Sequence, residues 1–328
     1  MPDIRVGLIG LGSMGRHHAR VIRETPGMDL VAVADPQGDR FGVVRSLDVL
    51  RGVEDLVRGS VDAAVVAAPT IYHEEAALAL AAAGIPTLVE KPIAHSAEAA
   101  RRVAAAFASA GVFGAVGYVE RHNPALVEMR KQIAGGGLGE VFQIATSRQS
   151  TFPDRVSDVG VVKDLAAHDI DLTPWLVQSA YSTVFAQVSY RSGRSHEDVV
   201  SVTGRLVNGI IVNHFVNRLS PRKVRQILVT AERGALVADT VVGDLIFYAN
   251  GTAHNQSEAV VSSGTGTRGE ILCYELTDHQ PLRIEHENFR NALLGRPNSC
   301  VTMEEGAKTL VVLEAILESA ERDQSIRL

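Results

Sequence analysis

The sequence has little cysteine and no excess of positive charge. Its 328 residues include two cysteines, Cys273 and Cys300, which lie far apart and lack the spacing of metal ligands. This pattern excludes a disulfide framework, predicts no metal site and is typical of a cytoplasmic protein. The formal net charge is −6 and there is no basic tail, so a nucleic-acid partner is not predicted.

Long apolar runs are also missing. Charged residues, glycine or proline interrupt every candidate before the roughly 18 residues that a membrane span requires, so no membrane partner is predicted. Hydrophobic residues nevertheless make up 46% of the chain, which is enough for a sizeable core. A chain of this length is expected to divide into two domains.

The N-terminal part alternates strand-like apolar runs with helical patterns. The strand-like runs cover 4–9, 30–34, 63–68, 87–89 and 113–117, and the helical patterns cover 13–25, 73–83 and 97–110. Right-handed crossovers would place these strands in one parallel, doubly wound sheet. Residues 39–59 give a weaker pattern, with a helical stretch around 53–57.

Beyond about residue 120, most strand-like segments follow one another without an intervening helix, and residues 165–177 are the exception. This order predicts a large, mostly antiparallel open sheet. The strand-like segments cover 141–146, 184–190, 199–206, 210–216 and 226–231. Helices are predicted over 124–133, 165–177, 283–294 and 303–321. A surface loop is predicted over 250–269. The predicted fold is therefore α/β. It has a doubly wound domain over 1–119 and a second α/β domain over 120–328 for substrate binding and oligomerisation.

A glycine-rich turn joins the first strand to the first helix. Gly10, Gly12 and Gly15 have the GxGxxG spacing, in which the glycines permit a tight turn, close approach of a pyrophosphate and close helix packing. Ser13 and Met14 begin the helix, whose free N–H groups attract anionic oxygens. The turn thus predicts a dinucleotide site formed in part by these two residues.

The second strand ends at Asp35, 20 residues beyond Gly15. A carboxylate there can accept both ribose hydroxyls and repel a 2′-phosphate, which favours NAD. The alternative for Asp35 is an ordinary turn residue before Pro36. Arg40 could accommodate a phosphate, so NADP stays open as a cofactor.

Polar residues also follow the next two predicted strands. Pro69, Thr70 and His73 come after one strand, and Glu90 and Lys91 after the other. Ligands of doubly wound sheets bind outside the carboxyl ends of the strands, so all five are candidates for cofactor contact. The alternative for Glu90 and Lys91 is a surface ion pair.

Asp164 and His168 are four residues apart within KDLAAHDID. On a helix they would share one face, where they could bind a substrate hydroxyl and take its proton. The alternatives are a helix cap for Asp164 and a hydrogen-bonded core role for His168. Asp171 could orient the histidine ring.

The chain resembles the glucose-fructose oxidoreductase, inositol dehydrogenase and rhizopine-catabolism (Gfo/Idh/MocA) family. The resemblance spans essentially the whole chain and is carried by GLIGLGSMGRHHAR, AAPTIYH, EKP, GYVERHNPA and the Asp164–His168 spacing, in the family's order. It implies a Rossmann domain followed by an α/β domain whose open sheet forms a homodimer or homotetramer. It also implies that Lys91, Asp164 and His168 are the catalytic residues.

A finer resemblance is to the branch of UDP-N-acetylglucosamine 3-dehydrogenases. It rests on the pattern from Tyr118 through Pro124, on Arg148 and Arg155, and on Phe152-Pro153 and residues 158–162. It implies that Tyr118, Arg121, Arg148 and Arg155 bind substrate. The chain departs from the family pattern in the shorter region after Asp35 and in having lysine at position 163 beside Asp164.

Together these features predict an NAD-dependent dehydrogenase acting on a small molecule. The expected reaction moves a hydride between the nicotinamide and a secondary hydroxyl of a sugar, nucleotide sugar or cyclitol. The alternatives are a myo-inositol 2-dehydrogenase-like enzyme, a redox-neutral NAD-dependent glycosidase, and a regulator that binds NAD without chemistry.

Overall fold

The computed structural model of the chain describes residues 2–44, 47–151, 159–251, 269–277 and 280–328. It groups them into two compact units. The first comprises Met1–His122 and His279–Glu314, and the second comprises Asn123–Asp278 and Ala315–Leu328.

A seven-stranded sheet forms the centre of the first unit, in the order β15-β6-β5-β4-β1-β2-β3. All neighbouring strands are parallel except β15, which pairs antiparallel with β6. The predicted doubly wound sheet is thus confirmed. Its strands are β1 Ile4–Ile9, β2 Met28–Ala34, β3 Val49–Leu50, β4 Ala63–Val66, β5 Thr87–Glu90, β6 Gly114–Gly117 and β15 Val301–Thr302.

Helices connect these strands at the predicted places: α1 Ser13–Glu24, α2 Val53–Arg58, α3 His73–Ala82 and α4 Ala97–Ala110. Local sequence sets their ends. Ser96 accepts a hydrogen bond from the Ala99 N–H at 3.1 Å and so caps α4, which ends at Gly111 with a φ of 63°.

The weakly patterned region after β2 is organised by one carboxylate. Asp39 accepts hydrogen bonds from the N–H groups of Val43 and Val44, at 2.9 and 2.8 Å. These bonds hold Val44 in the core, where it is 3% exposed. The region gave a weak prediction because side-chain to backbone bonds, and not periodic burial, determine its path.

The second unit contains a nine-stranded sheet in the order β14-β13-β12-β11-β7-β10-β9-β8-β16. It is antiparallel except between β7 and β10, as predicted in the main. Its strands are β7 Val141–Gln149, β8 Tyr181–Ser189, β9 Val199–Leu206, β10 Ile211–Asn217, β11 Val224–Ala231, β12 Gly234–Asp239, β13 Asp244–Ala249, β14 Ile271–Cys273 and β16 Ile326–Arg327. Strands β12 to β14 were not predicted. β13 and β14 bury few side chains and give little alternation, whereas β12 alternates buried and half-buried residues and was missed despite that pattern.

The remaining helices are α5 Pro124–Ala134, α6 Ala167–Val177, α7 Pro281–Leu293 and α8 Met303–Arg322. Each begins or ends close to its predicted bounds, except that a π-helical turn, Val162–Ala166, precedes α6. Among the described residues, no helix is both long and apolar enough to cross a bilayer. The predicted loop over 250–269 lies largely outside the described residues.

The first unit includes a segment from the C-terminal part of the chain. Phe289 of α7 is fully buried in the same hydrophobic cluster as Leu8 and Ile22, which explains why α7 packs with the N-terminal sheet. The predicted functional division at residues 119 and 120 therefore does not coincide with a simple split of the chain into compact halves, and it stays a prediction.

One face of the nine-stranded sheet carries exposed apolar side chains. In β10 the inward residues Val212, His214 and Val216 alternate with Ile211 and Phe215, which are 41% and 45% exposed. Phe185 of β8, Leu228 of β11 and Tyr248 of β13 are also exposed at outward positions. We call these residues (185, 211, 215, 228 and 248) the outer apolar face.

Gly15 is required for packing inside the glycine turn. A Cβ at Gly15 would overlap the Gly10 carbonyl oxygen and lie 2.8 Å from the Gly10 carbonyl carbon. We therefore expect Gly15→Ala to lower the stability of the first unit by about 1–3 kcal/mol through overpacking. Urea unfolding followed by circular dichroism measures this. Gly137→Ala is the matched control, since a Cβ there would meet no heavy atom of the described residues within 4 Å beyond its chain neighbours. Equal urea midpoints of unfolding for the two variants would contradict the expectation.

Candidate functional site

The predicted cofactor residues of the first unit, and the predicted substrate-binding residue Tyr118, follow the carboxyl ends of parallel strands. Because these strands run in one direction, their carboxyl ends share one edge of the sheet. Gly10 follows β1, Asp35 follows β2, Pro69 follows β4, Lys91 follows β5 and Tyr118 follows β6. The topology therefore gathers residues from five segments that are separate in the sequence.

The glycine turn has the geometry of a phosphate site. Gly10 has a φ of 92°, and its N–H donates to the Ala34 carbonyl at 2.8 Å. Helix α1 starts after Gly12 without a side-chain cap, and a Cβ at Gly12 would meet nothing within 4 Å in the described part of the chain. Open space beside a helix N-terminus that includes Ser13 and Met14 fits an anionic pyrophosphate.

Asp35 links the end of β2 to this turn. Its Oδ2 accepts a hydrogen bond from the Leu11 N–H at 2.8 Å, and its Oδ1 accepts one from the Gln37 N–H at 2.8 Å. A carboxylate offers about four acceptor positions, so each oxygen keeps capacity for a hydroxyl group. The half-buried Asp35 thus fits an unphosphorylated ribose.

His73 connects two of the strand ends. It is 1% exposed at the start of α3, which follows a 3₁₀ turn that begins at Thr70 after Pro69. Its Nδ1 lies 2.9 Å from the Pro92 carbonyl oxygen and its Nε2 lies 2.8 Å from that of Ala68. His73 therefore fixes the segments after β4 and β5 to each other, and its contact with a cofactor stays a prediction.

Glu90 holds the main chain of Lys91. It is 6% exposed, its Oε1 lies 2.8 Å from His18 Nε2, and its Oε2 accepts a hydrogen bond from the Lys91 N–H at 3.0 Å. Burial by itself would raise the pKa of Glu90. The hydrogen bond from His18, the charge that His18 carries when protonated and the charge of Lys91 outweigh burial and lower this pKa. Glu90 is therefore a carboxylate beside the half-buried Lys91, whose peptide bond to Pro92 is cis.

The second unit carries Asp164 and His168, but not on one regular α-helix. Asp164 lies in the π-helical turn, where its N–H donates to the Gly160 carbonyl at 3.1 Å, and His168 lies in the first turn of α6. Glu197 anchors the start of the turn, since its carboxylate accepts the Val162 N–H at 2.9 Å. The prediction that one α-helix contains both residues was therefore wrong, because a π-helical turn holds Asp164 and α6 holds His168. Wider π turns of this kind are frequent at functional sites.

Arg218, which no sequence motif singled out, forms an ion pair with Asp164. It follows β10 and is 1% exposed. A buried guanidinium in contact with a carboxyl group favours the ionised form of that carboxyl group. Asp164 is therefore held as a hydrogen-bond acceptor, and its role as a helix cap is excluded because the residue that precedes α6 is Ala166. Arg218 could not be found from the sequence, since it lies 54 residues from Asp164 and in no motif.

Two of the predicted substrate-binding arginines contact carboxylates of the protein. Arg148 is 3% exposed, and its Nε donates to both oxygens of Asp169 at 3.1 and 3.2 Å. Arg121 is 8% exposed, and its Nη1 donates to Glu305 at 2.7 Å. Tyr118 is 1% exposed in the first unit. Arg155 lies outside the described residues, and substrate contact by any of these side chains stays a prediction.

Family models match both parts of the chain in order. The model described as "Oxidoreductase family, NAD-binding Rossmann fold" matches residues 4–118, and the model "GFO/IDH/MocA C-terminal domain" matches residues 126–237. Inositol 2-dehydrogenase 2 of Saccharopolyspora erythraea is 31% identical over 227 residues, which cover 65% of this chain and 67% of that protein.

Solved structures of similar fold cover the full length. UDP-N-acetylglucosamine 3-dehydrogenase GnnA of Acidithiobacillus ferrooxidans aligns with a TM-score of 0.83 at 23% identity, covering 98% of this chain and 99% of that one. GenD2 from gentamicin A biosynthesis, in complex with NAD, aligns with a TM-score of 0.84 at 25% identity, covering 100% and 97%.

These matches agree with the glycine turn, with the acidic residue after β2 and with the large second sheet. The glycine turn and Asp35 lie within residues 4–118, and the strands β7 to β11 lie within residues 126–237. The chain accordingly belongs to the Gfo/Idh/MocA family of oxidoreductases, and its N-terminal part is an NAD-binding Rossmann domain.

Proposed function

We propose that this oxidoreductase oxidises a secondary hydroxyl group of a sugar, nucleotide sugar or cyclitol. One observation carries the proposal: Lys91 follows β5 of the NAD-binding sheet, with its main chain bound by the ionised Glu90. An ammonium group at this edge is suited to stabilise the negative charge that develops on a hydroxyl oxygen during oxidation.

Residues of the first unit would hold the cofactor. Gly10, Gly12, Ser13 and Met14 would face the pyrophosphate, and Asp35 would accept the ribose hydroxyls. When bound, NAD supplies an acceptor for hydride. The carboxylate of Asp35 favours NAD over NADP because it would repel a 2′-phosphate.

Asp164 and His168 would handle the proton. Because Arg218 holds Asp164 as a carboxylate, we assign Asp164 to orienting the substrate hydroxyl and His168 to accepting its proton. A half-buried imidazole is suited to this task, since its ordinary pKa lies close to neutral pH.

Within this class of substrates, the arginine contacts favour an uncharged polyol. Arg148 and Arg121 each have their charge balanced by a carboxylate, so a diphosphate would have to compete with Asp169 or Glu305 for them. Inositol, the substrate named for the relative in Saccharopolyspora erythraea, is such a polyol. A UDP-sugar is the alternative within the same reaction class.

NAD reduction measured against inositols, free sugars and UDP-sugars tests the proposal. Accumulation of NADH with one of these compounds is the expected result. Release of a free sugar without net NADH would instead indicate redox-neutral glycoside cleavage. NAD binding without any turnover across the panel would indicate a regulator.

Gly12→Ala separates cofactor binding from folding. Within the described part of the chain, the added methyl group meets no atom within 4 Å beyond its own chain neighbours, but it would occupy the space predicted for the pyrophosphate. We expect unchanged thermal stability and a Kd for NAD raised about tenfold or more, measured by isothermal titration calorimetry. Wild-type affinity in this variant would place the pyrophosphate elsewhere.

Lys91→Ala and His168→Ala test the catalytic assignment. Each should reduce kcat roughly 10²-fold or more, the loss expected for a charge-stabilising or proton-accepting group. The double variant should lose less than the product of the single losses, since groups that act in one step are not additive. The Kd of the Lys91→Ala variant for NAD serves as the control. Near-normal kcat in either single variant would refute the assignment.

We further propose that the chain assembles as a homodimer or homotetramer through the outer apolar face. Exposed apolar side chains on several strands of an open sheet favour pairing. Phe215→Glu should therefore lower the mass measured by light scattering at micromolar concentration. Val127→Glu on α5, where Val127 is 47% exposed, is the control and should leave the mass unchanged. A monomeric wild-type protein would overturn this proposal.

A further inference from the structure

A buried chain of hydrogen bonds lies behind Glu90 in the first unit. His18 of α1 is fully buried, and its Nε2 lies 2.8 Å from Glu90 Oε1. Its Nδ1 lies 2.8 Å from Nε2 of His286, which is fully buried on α7. The chain His286–His18–Glu90 therefore ends at the N–H group of Lys91, which Glu90 accepts through Oε2.

We propose that His18 and His286 are positioning residues for Lys91, because they keep the Glu90 carboxylate ionised and in one orientation. The inference rests on the proposed function of Lys91. Neither histidine needs to contact substrate or cofactor for this role, since both act through Glu90.

The hydrogen bonds restrict where protons can reside. An ionised Glu90 only accepts, so the ring nitrogen of His18 that faces it must carry a proton. The remaining nitrogen of His18 faces His286, and one of these two rings must donate to the other. His18 is thus held at both nitrogens, which fixes its ring and, through the ring, the Glu90 carboxylate.

Burial shifts the pKa of each of the other titratable groups of the cluster toward its uncharged form. Burial lowers the pKa of His286 well below its ordinary value, and positive charge on His18 lowers it further. Burial raises the pKa of Glu285 well above its ordinary value, and the charge of Glu90 adds to this effect. The thiol of Cys300 has its pKa raised to about 12, by burial and by Glu285.

Glu90 is therefore the acid of this cluster whose pKa is lowered, and His18 and Lys91 are the groups that oppose its protonation. Without the hydrogen bond from His18, less would oppose the effect of burial, and the pKa of Glu90 would rise. The carboxylate would then be lost at a higher pH, and with it the acceptor and counter-charge of Lys91. Loss of the proton-donating ring should thus be visible as a change in pH dependence.

The direction in which the pH dependence changes follows from the ionised state of Glu90 that Lys91 requires. If activity needs an ionised Glu90, a raised pKa moves the acidic limb of the kcat/KM profile to higher pH. We expect His18→Leu to move this limb upward by about one pH unit or more. We also expect it to reduce kcat about tenfold near neutral pH, because the Glu90 carboxylate loses its fixed orientation. His18→Gln can still donate to Glu90 and should move the limb less. His286→Leu should produce a smaller shift in the same direction.

The matched control is His214→Gln in the second unit. His214 is also a buried histidine held at both nitrogens, by Thr146 at 2.8 Å and Tyr181 at 2.9 Å. This variant should lose stability while its pH profile stays in place. If His18 were merely a core residue, the His18 variants would behave in the same way.

A spectroscopic measurement separates this inference from the proposed function. The carboxyl ¹³C shift of Glu90 in ¹³C-glutamate-labelled protein, assigned with Glu90→Gln, reports its titration without any substrate. We expect the Glu90 titration to move to higher pH in His18→Leu and less in His18→Gln. An unchanged Glu90 titration in both variants would overturn the inference. Normal kcat in Lys91→Ala would instead overturn the proposed function, whatever the Glu90 titration shows.

Discussion

The ionised state of the buried Glu90 is the constraint on which the candidate site of the first unit depends. An isolated carboxylate in such a place would take up a proton, because burial disfavours charge. Contacts with His18 on α1 and with the adjacent Lys91 offset this, and His18 in turn contacts His286 on α7. The same contacts join the helix of the glycine turn to the strand end that bears Lys91. The helix of the glycine turn and the main chain of Lys91 are therefore joined by one set of hydrogen bonds through Glu90.

The second unit solves a similar problem with arginines. Asp164 is paired with Arg218 and Asp169 with Arg148, and both guanidinium groups are almost fully buried. Buried ion pairs of this kind add little net stability, but removal of one partner leaves an uncompensated charge. Such pairs are consequently better explained by the placement of Asp164 and by the rigidity of α6 than by the stability of the unit.

Local patterns sufficed to predict most of the fold. The parallel strands and their helices were predicted because each is either a continuous apolar run or an amphipathic repeat with a clear cap, as at Ser96 and Gly111. The glycine turn and Asp35 were predicted because their spacing is local. Weak signals were the cause of the misses: β13 and β14 have little buried surface, and Asp39 shapes its loop through backbone contacts.

The side chains that contact Asp164 and Glu90 could not be predicted from the sequence, for a different reason. Arg218, His18 and His286 reach Asp164 and Glu90 only because the chain folds, and a single sequence contains no record of such pairs. The π turn before α6 was missed likewise, since its anchor, Glu197, comes from a separate part of the chain.

Lys91 and Asp164 are positioned in different ways, and this difference bears on what the family motifs can specify. Lys91 is held through its main chain by Glu90, whereas Asp164 is held through its side chain by Arg218. In both cases a further residue that completes the environment lies outside the EKP or Asp-x-x-x-His pattern itself, on α1 or α7 in one unit and after β10 in the other. The EKP and Asp-x-x-x-His patterns alone therefore do not determine the charges around Lys91 and Asp164. Because those charges bear on protonation and orientation, we expect the surrounding side chains to influence the pH range of the reaction.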